Sequence, residues 1–366
     1  MGNQLTWALV VPTYNRRDIL QTALRHAAEQ TRKPMEIIVV DSSPDASKTK
    51  ELLRATVVRE FPNIRWEYLL SNVRSAAIQR NEGIRLCSAD IVFFIDDDCF
   101  MYPQYAEVIM NTYEADRNRE LRAVCGLVTD VLPLPLGTPT VKPPRPPLWR
   151  RAVRRLAYHL NHYALMNTSQ AHFYPYYRGY PDRPLPALDV PYRVYPVRLF
   201  GGGSATFPIH VLRDLQFDND LLYYSVAEDL DLAYRVSQSG PMAMVFDALI
   251  HHGHHQSIRP DLYTISLMAI TNHAFFIQKN NPSSVPTKIG YLFRVAKRLI
   301  GEFIFDTSEG RFSYPRLRGT LSAIIPVIRL FTTDPSSLSA WYRQFQKCVY
   351  ERGASREKPR ESRTPG

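Results

Sequence analysis

Short runs of valine, isoleucine and phenylalanine alternate with amphipathic segments from residue 7 to residue 130, and this alternation strongly limits the possible folds. Apolar runs of this length are typical of strands that are buried on both faces. Because a helix-like segment separates the strands, right-handed crossovers and a mostly parallel sheet are expected. The sequence therefore predicts an α/β domain in which helices flank the sheet. The predicted strands lie at 7–11, 35–41, 64–70, 90–96 and 122–130.

A basic, proline-rich insert interrupts this pattern over residues 131–198. Residues 131–181 contain no aspartate or glutamate, and nearly half of the 28 prolines of the chain lie within the insert. From Trp149 to Ala164, apolar residues recur at the spacing of one helix face, and four arginines lie on the opposite face. We therefore expect an amphipathic helix inside the insert.

The C-terminal region is predicted to be helical over residues 256–350 and to end in a polar, disordered tail over residues 351–366. It contains a second basic amphipathic stretch, Gly290–Phe305. No apolar run is as long as the roughly 18 residues that a membrane-spanning helix needs. Two interpretations of the basic helices remain open: their apolar sides pack against the domain, or they lie on an anionic membrane surface.

The chain carries a net charge of +10, which favours a polyanionic ligand or an anionic surface as its partner. Nucleic acid is not expected, because aromatic and basic residues are not interleaved on a recognisable strand platform. The four cysteines are widely scattered, and the N-terminal residues lack the pattern of a secretory signal. We therefore expect a cytoplasmic protein, and any membrane association is expected to be peripheral, on the inner face.

Three consecutive carboxylates, Asp96, Asp97 and Asp98, stand at the end of the predicted strand at 90–96. Side chains at the carboxyl end of a parallel strand lie at the crevice where open α/β sheets bind ligands. Adjacent carboxylates repel one another unless a cation or hydrogen-bond donors neutralise them, and oxygen ligands suit Mg²⁺ or Mn²⁺. We therefore predict a site for a divalent ion, with a solvated acidic turn as the alternative.

The turns after the first two predicted strands carry further polar groups. Pro12, Thr13 and Tyr14 offer a carbonyl, hydroxyls and an aromatic face at the mouth of the crevice. Neither a glycine-rich dinucleotide fingerprint nor a phosphate loop is present, which disfavours both kinds of site. Asp41 ends the second strand, where its carboxylate either binds a nucleobase or ribose or begins the turn that follows.

A second acidic group, Glu228 and Asp229, begins a predicted helix that ends at Gly240. A carboxylate here can act as a general base toward an acceptor hydroxyl, although acidic residues are common at helix N-termini in any case. The glycines at 201–203 either let the backbone approach a sugar or form a flexible turn. The strand-like run at 242–252 leads into four histidines, which either include a metal ligand or form a surface patch.

These segments together resemble the family-two glycosyltransferases, which have the Rossmann-like GT-A fold. The matching motifs are Pro-Thr-Tyr-Asn-Arg after the first strand, EIIVVDSSPD, RSAAIQRNEGIRLCSADIVFFIDDD and AEDLDLAYR. The resemblance covers residues 7–253. It implies a GT-A domain over residues 1–255 that contains the insert and is followed by the helical extension.

The resemblance also implies ligands for this domain. The donor is a sugar attached to UDP, GDP or dTDP, the cofactor is Mn²⁺ or Mg²⁺, and the acceptor is a hydroxyl group, for example on a lipid-linked saccharide. The implied nucleotide-binding residues are Pro12, Thr13, Tyr14, Asp41, Arg80 and Asp97. The implied metal ligands are Asp96, Asp98 and His252, with His254 as the next candidate.

The catalytic base implied by the resemblance is Asp229, and the implied acceptor-binding residues are Gly202, Gly203 and Glu228. The expected reaction is an inverting, metal-dependent sugar transfer to a hydroxyl in polysaccharide or glycolipid synthesis. The alternative is a non-catalytic, membrane-peripheral binding protein on the same scaffold. That alternative predicts the loss of acidic residues, whereas the sequence retains Asp96, Asp98 and Asp229.

Overall fold

A computed structural model of the protein describes residues 4–133, 148–160, 165, 183–253, 260–281 and 284–357. The chain forms two compact units, and each of them is built from two separate segments. The first unit comprises Met1–Val141 and Gly179–Ile258, and the second comprises Lys142–Arg178 and Arg259–Gly366. The middle of the predicted insert therefore belongs to the second unit, together with the C-terminal helices.

The described residues contain nine strands and twelve α-helices. The strands are β1 (Trp7–Thr13), β2 (Glu36–Asp41), β3 (Arg65–Leu70), β4 (Ile91–Phe94), β5 (Cys99–Met101), β6 (Ala123–Thr129), β7 (Val194–Pro196), β8 (Ala205–Pro208) and β9 (Met242–His252). The helices are α1 (Arg17–Ala28), α2 (Ala46–Leu53), α3 (Ala76–Leu86), α4 (Tyr105–Ala115), α5 (Leu148–His159), α6 (Ile209–Asp214), α7 (Glu228–Ser239), α8 (Leu262–Asn280), α9 (Val285–Ser308), α10 (Pro315–Ser322), α11 (Ile324–Thr332) and α12 (Pro335–Glu357).

One sheet forms the centre of the first unit, with the strand order β3-β2-β1-β4-β8-β6-β9-β5 and with β7 paired to β9. The five predicted strands are all present, and β1 to β4 pair in parallel as expected. The sheet as a whole is mixed rather than mostly parallel, because β8 runs antiparallel to β4 and β6, and β5 and β7 run antiparallel to β9. These three added strands have only three or four residues each, too few for a clear hydrophobic pattern. The α/β class is confirmed.

Both faces of β1 are covered, which explains its uninterrupted apolar sequence. On one face, Leu9 belongs to a core that also contains Leu20 and Leu24 of α1. On the other face α3 comes so close that a Cβ on Gly83 would lie 2.3 Å from Cγ1 of Val10. A larger residue at Gly83 would separate the helix from the sheet.

The predicted acidic helix is confirmed as α7, which ends before Gly240. Ala227, just before the helix, has a left-handed backbone conformation with φ of 70°. Tyr223 and Ser225 also have positive φ values, 59° and 48°. Such conformations are costly for residues with a Cβ, so the surrounding structure must hold this segment in place.

The second unit is helical in its described residues, as predicted for the C-terminal region. Helix α8 is almost entirely buried, and Phe275 on it stacks on Tyr342 of α12 with ring centroids 4.4 Å apart. Helix α5, from the predicted insert, packs against α9. Helix α12 continues to Glu357, past the residue at which the disordered tail was expected to begin. Residues 358–366 lie outside the described part of the chain.

Within the described residues, none of the helices has both the length and the apolar character that crossing a bilayer requires.

Candidate functional site

The carboxyl ends of β1 and β2 lie side by side, with Thr13 opposite Asp41 in the parallel register. Gln79 of α3 holds the two ends together, because its Nε2 donates hydrogen bonds to the carbonyls of Thr13 (2.9 Å) and Val40 (2.7 Å). Strand β4 lies on the other side of β1 and ends at Phe94, shortly before the three aspartates. The predicted turn residues and acidic residues therefore meet at one edge of the sheet, as the topology requires.

Asp41 is buried in this edge and is held by a small hydrogen-bond network. Its Oδ1 accepts hydrogen bonds from the backbone N–H (2.7 Å) and the hydroxyl of Ser43. Its Oδ2 accepts a hydrogen bond of 2.5 Å from the hydroxyl of Tyr68, whose pKa is raised by burial and by the nearby carboxylate. The carboxylate thus has a fixed orientation at the end of β2.

Asp97 is buried between two donors that precede α1. Its Oδ2 accepts a hydrogen bond of 2.8 Å from the hydroxyl of Thr13, and its Oδ1 accepts one of 2.8 Å from Nη1 of Arg16. The same Arg16 nitrogen lies 3.4 Å from Oδ2 of Asp98. Burial raises the pKa of Asp97 to about 6, and Arg16 acts against this rise. One arginine therefore partly neutralises two adjacent carboxylates.

The structure brings Asp96, Asp98 and His252 together with Cys99, so that one ligand atom from each lies within 4.8 Å of the others. The antiparallel pairing of β5 with β9 places Cys99 opposite His252, and Nε2 of His252 lies 3.2 Å from Oδ1 of Asp98. Burial raises the pKa of the Cys99 thiol well above its ordinary value, and thiolate ligands suit softer ions than Mg²⁺ or Mn²⁺. Two carboxylates suit Mg²⁺ or Mn²⁺, and imidazole is a common ligand of transition-metal ions. The three predicted residues therefore fit a divalent ion chemically.

The neighbouring histidines differ from His252. His251 stacks on Phe100, with ring centroids 5.9 Å apart, and its Nδ1 lies 3.0 Å from the carbonyl oxygen of Thr129. These contacts hold His251 on the face of β9 opposite to that of His252. His254, the second predicted candidate, lies outside the described residues.

A buried arginine links the metal candidates to the acidic helix. Nη1 of Arg80 donates a hydrogen bond to Oε1 of Glu228, and its Nη2 donates one of 2.8 Å to Oδ1 of Asp96. The guanidinium also lies 5.3 Å from the ring centroid of Phe217. Burial raises the pKa of Glu228 to about 8, with Asp229 acting in the same direction and Arg80 opposing it. Arg80 is thus positioned by protein carboxylates on both sides.

Asp229 is held by two backbone donors. The N–H of Gly202 donates to Oδ2 at 2.8 Å, and the N–H of Leu230 donates to Oδ1 at 2.9 Å. Burial raises the pKa of Asp229, although both N–H groups favour its ionised form. A Cβ on Gly202 would lie 3.3 Å from Cβ of Asp229, so the glycine permits this close approach.

Gly203, the next residue, faces the metal candidates. A Cβ at this position would lie 2.9 Å from Sγ of Cys99 and 3.5 Å from Oδ2 of Asp96. By contrast, a Cβ on Gly201 would have no neighbour within 4 Å. Two of the three consecutive glycines therefore pack closely against residues of the site.

The remaining predicted residues lie at the start of the same edge. Pro12 is buried within β1, opposite Val40 of β2. The ring of Tyr14 is covered by Arg74, whose guanidinium carbon lies 3.9 Å from the ring centroid. Arg74 also lies 5.9 Å from the ring of Tyr223, in the segment that precedes α7.

Three residues of the site escaped the sequence interpretation: Arg16, Arg74 and Gln79. Arg16 belongs to the Pro-Thr-Tyr-Asn-Arg motif, so its position after β1 was a usable signal. Gln79 lies one residue before Arg80 on a helix that was predicted, yet nothing in the sequence indicates that its amide reaches two carbonyls. No local sequence pattern indicates a role for Arg74, because the aromatic rings that it contacts come from distant parts of the chain.

Comparisons with known proteins match the part of the chain that carries the acidic cluster. The model of glycosyl transferase family 2 matches residues 8–125. An uncharacterized glycosyltransferase of Haemophilus influenzae is 31% identical over 118 residues, which cover 30% of this chain and 35% of that protein. The poly(ribitol-phosphate) beta-N-acetylglucosaminyltransferase TarP of Staphylococcus aureus is 27% identical over 118 residues, which cover 31% of this chain and 34% of that protein. The similarity thus spans about a third of the length of these curated relatives.

A solved structure is similar over nearly the whole chain. The mannosyltransferase PcManGT from Pyrobaculum calidifontis, in complex with GDP-Man and Mn²⁺, aligns with a TM-score of 0.51 at 15% identity. The alignment covers 98% of this chain and 89% of that one, and it supports the predicted GT-A fold. Residues 8–125, the part that matches the model of glycosyl transferase family 2, contain Asp41, Arg80 and the three consecutive aspartates.

Proposed function

We propose that this protein transfers a sugar from a nucleoside diphosphate donor to an acceptor hydroxyl with inversion of the anomeric centre. The observation that carries the proposal is the position of Arg80. It bonds to Asp96, one of the candidate metal ligands, and to Glu228, which adjoins the candidate base Asp229. One buried side chain thus joins a candidate ligand of the ion that would stabilise the leaving diphosphate to the residue beside the candidate base.

The donor side is assigned to the edge formed by β1, β2 and β4. Asp41 already accepts three hydrogen bonds, and a carboxylate offers about four acceptor positions, so one remains for a nucleobase N–H. Asp97, oriented by Thr13 and Arg16, is assigned to the ribose. Tyr14, whose ring lies against Arg74, would border the nucleotide.

Asp96, Asp98 and His252 would hold the divalent ion. When bound, the ion supplies positive charge that neutralises the leaving diphosphate. The presence of an imidazole among the ligands favours Mn²⁺ over Mg²⁺. The similar mannosyltransferase was solved with GDP-Man and Mn²⁺, which is consistent with an ion of this class and with a GDP donor among the candidates.

Asp229 is assigned as the general base. The hydrogen bonds from Gly202 and Leu230 fix its carboxylate, and its raised pKa makes it a better proton acceptor than an exposed aspartate. It would take the proton of the acceptor hydroxyl as the oxygen bonds to the anomeric carbon. The bond from that carbon to the diphosphate oxygen breaks on the opposite face, and both bonding electrons leave with the diphosphate. Glu228, Gly202 and Gly203 would border the acceptor.

Calorimetric titration with UDP, GDP and dTDP, each with and without Mn²⁺ and Mg²⁺, tests the donor site. We expect one nucleotide to bind in the presence of metal and Asp98→Ala to lose this binding. Asp247→Ala is the matched control, since Asp247 pairs with Arg193 on the surface and should leave binding unchanged. If none of the nucleotides binds, the second candidate function, a non-catalytic binding protein, is favoured instead. An NMR assignment of the anomeric configuration of donor and product tests inversion.

A further inference from the structure

Helix α9 exposes apolar side chains where a helix of a compact unit is expected to be polar. Phe293 is 70% exposed, Ile300 is 53% exposed and Ile289 is 50% exposed. Their spacing of four and seven residues places them on one face of the helix. Tyr291 and Val295, on the opposite face, are buried. The helix therefore packs through one apolar face and presents a second one to solvent.

Helix α5 also carries an exposed apolar stripe. Val153 is 44% exposed, Leu156 is 61% exposed and Leu160, just past the helix end, is 43% exposed. Their spacing of three and four residues again defines one face, and Ala157, which lies beside this stripe, is buried. Because α5 packs against α9, the two exposed stripes belong to neighbouring helices of one unit. These six side chains are exposed, whereas Tyr291 and Val295 of α9 pack inward.

Both helices also carry exposed basic side chains. Arg155 of α5 and Lys297 of α9 are exposed. Residues 148–160 contain no acidic residue, and the only two in α9, Glu302 and Asp306, are buried and paired with Arg298 and Arg316. The outward charge of these helices is therefore positive.

We propose that Val153, Leu156, Leu160, Ile289, Phe293 and Ile300 form a bilayer face, through which the second unit binds the surface of an anionic membrane. Groups of exposed apolar side chains mark interaction surfaces, and helices that combine an apolar stripe with lysine and arginine suit the interface of an anionic bilayer. A second copy of this chain is a poorer partner, because its basic helices would repel these ones. The proposal goes beyond sugar transfer and involves no residue of the catalytic site.

Vesicle flotation tests the proposal with the full chain. Vesicles of phosphatidylcholine alone are compared with vesicles that also contain phosphatidylglycerol, and neither contains a saccharide. We expect binding only to the anionic vesicles. It should weaken when the salt is raised from about 0.1 M to about 1 M, where the screening length falls from about 10 Å to about 3 Å.

Two double variants test which residues are responsible. Phe293→Ser with Ile300→Ser should lower partitioning at least about tenfold, because two apolar side chains no longer leave water. Val128→Ser with Val131→Ser, at exposed apolar positions in the first unit, should leave it unchanged. Arg155→Glu with Lys297→Glu should abolish the preference for anionic vesicles. Circular dichroism checks that each variant is folded.

Three results would overturn the proposal: no binding to anionic vesicles, full binding by the Phe293 and Ile300 variant, or a dimer in sedimentation that this variant dissolves. The last result would assign the face to contacts between copies. Asp98→Ala should bind vesicles as the unaltered protein does. Vesicle binding and nucleotide binding can therefore fail independently.

Discussion

The backbone N–H of Gly202 donates a hydrogen bond of 2.8 Å to Oδ2 of Asp229. This contact ties the glycine turn before β8 to the first turn of α7. The base candidate is therefore oriented by a backbone group, which a side-chain substitution elsewhere cannot remove. Its carboxylate keeps one fixed geometry relative to the glycines that would border the acceptor.

Asp229→Asn should lower kcat by about 10²- to 10⁴-fold, because an amide cannot accept the proton of the acceptor hydroxyl. Its hydrogen bond from Gly202 can be retained through the amide oxygen, so nucleotide affinity should change little. Transfer kinetics and calorimetry measure the two quantities separately. Asp247→Asn, on the surface, is the control. A variant that keeps more than a tenth of the activity would exclude Asp229 as the base, and Glu228→Gln would then be tested next.

Gly203→Ala should weaken Mn²⁺ binding by about tenfold or more, because groups that orient metal ligands typically matter to this extent. The added Cβ would lie 2.9 Å from Sγ of Cys99, so the cluster must shift. Gly201→Ala is a closely matched control, since its Cβ would meet nothing within 4 Å. Calorimetric Mn²⁺ titrations of both variants check the difference. Equal affinities would show that the cluster adapts without loss.

Arg16→Gln should lower nucleotide affinity by about tenfold, which corresponds to the loss of one hydrogen bond to a charged group. Without this guanidinium, Asp97 loses one of the two donors that orient it. Arg17→Gln provides the control at the neighbouring position, where the arginine pairs with Asp45 on the surface. The measurement is nucleotide titration in the presence of Mn²⁺. The assignment of Asp97 to the ribose would have to be abandoned if both variants bound equally well.

Gln79→Leu should lower the free energy of unfolding by about 1–3 kcal/mol, because it removes two buried hydrogen bonds. These are the carbonyls of Thr13 and Val40 at the ends of two central strands. Urea unfolding of the variant and of Gln344→Leu, an exposed glutamine on α12, checks the value. A loss no larger than that of the control would mean that water replaces the amide.

His273 should make the protein sensitive to acid. Burial lowers its pKa from 6.5 to about 3, and Arg298 acts in the same direction. The unfolded chain takes up a proton below about pH 6.5 and the folded chain does not, so the free energy of unfolding falls as the pH is lowered. The fall is at most about 1.4 kcal/mol per pH unit.

The variant His273→Phe cannot take up this proton, so its free energy of unfolding should fall less steeply between about pH 6.5 and about pH 4. Urea unfolding over this range measures the two slopes. His159→Phe, which replaces an exposed histidine, is the control. Parallel curves for all three proteins would exclude His273 as the source.

Patterns that repeat along the chain allowed the correct prediction of the parallel strands, the acidic helix and the C-terminal helices. Strands β5, β7 and β8 were not predicted, because three or four residues carry too little periodicity. The hydrogen-bond partners of side chains could not be predicted either. The amide of Gln79, for example, reaches carbonyls that are 39 and 66 residues away in sequence. Periodicity also showed that α9 has an apolar stripe without showing which face meets the core. Only the structure shows that Tyr291 is buried and that Phe293 is exposed.

The division of the second unit into two segments has a consequence for how the protein is made. Helix α5 leaves the ribosome before β7, and its packing partner α9 follows more than a hundred residues later. At synthesis rates of about 5–20 residues per second, α5 must wait on the order of ten seconds for that partner. The first unit ends at Ile258, so it can close during this interval. During synthesis, α5 therefore stays without its packing partner α9 while the first unit folds, because the two segments of that unit flank α5 in the sequence.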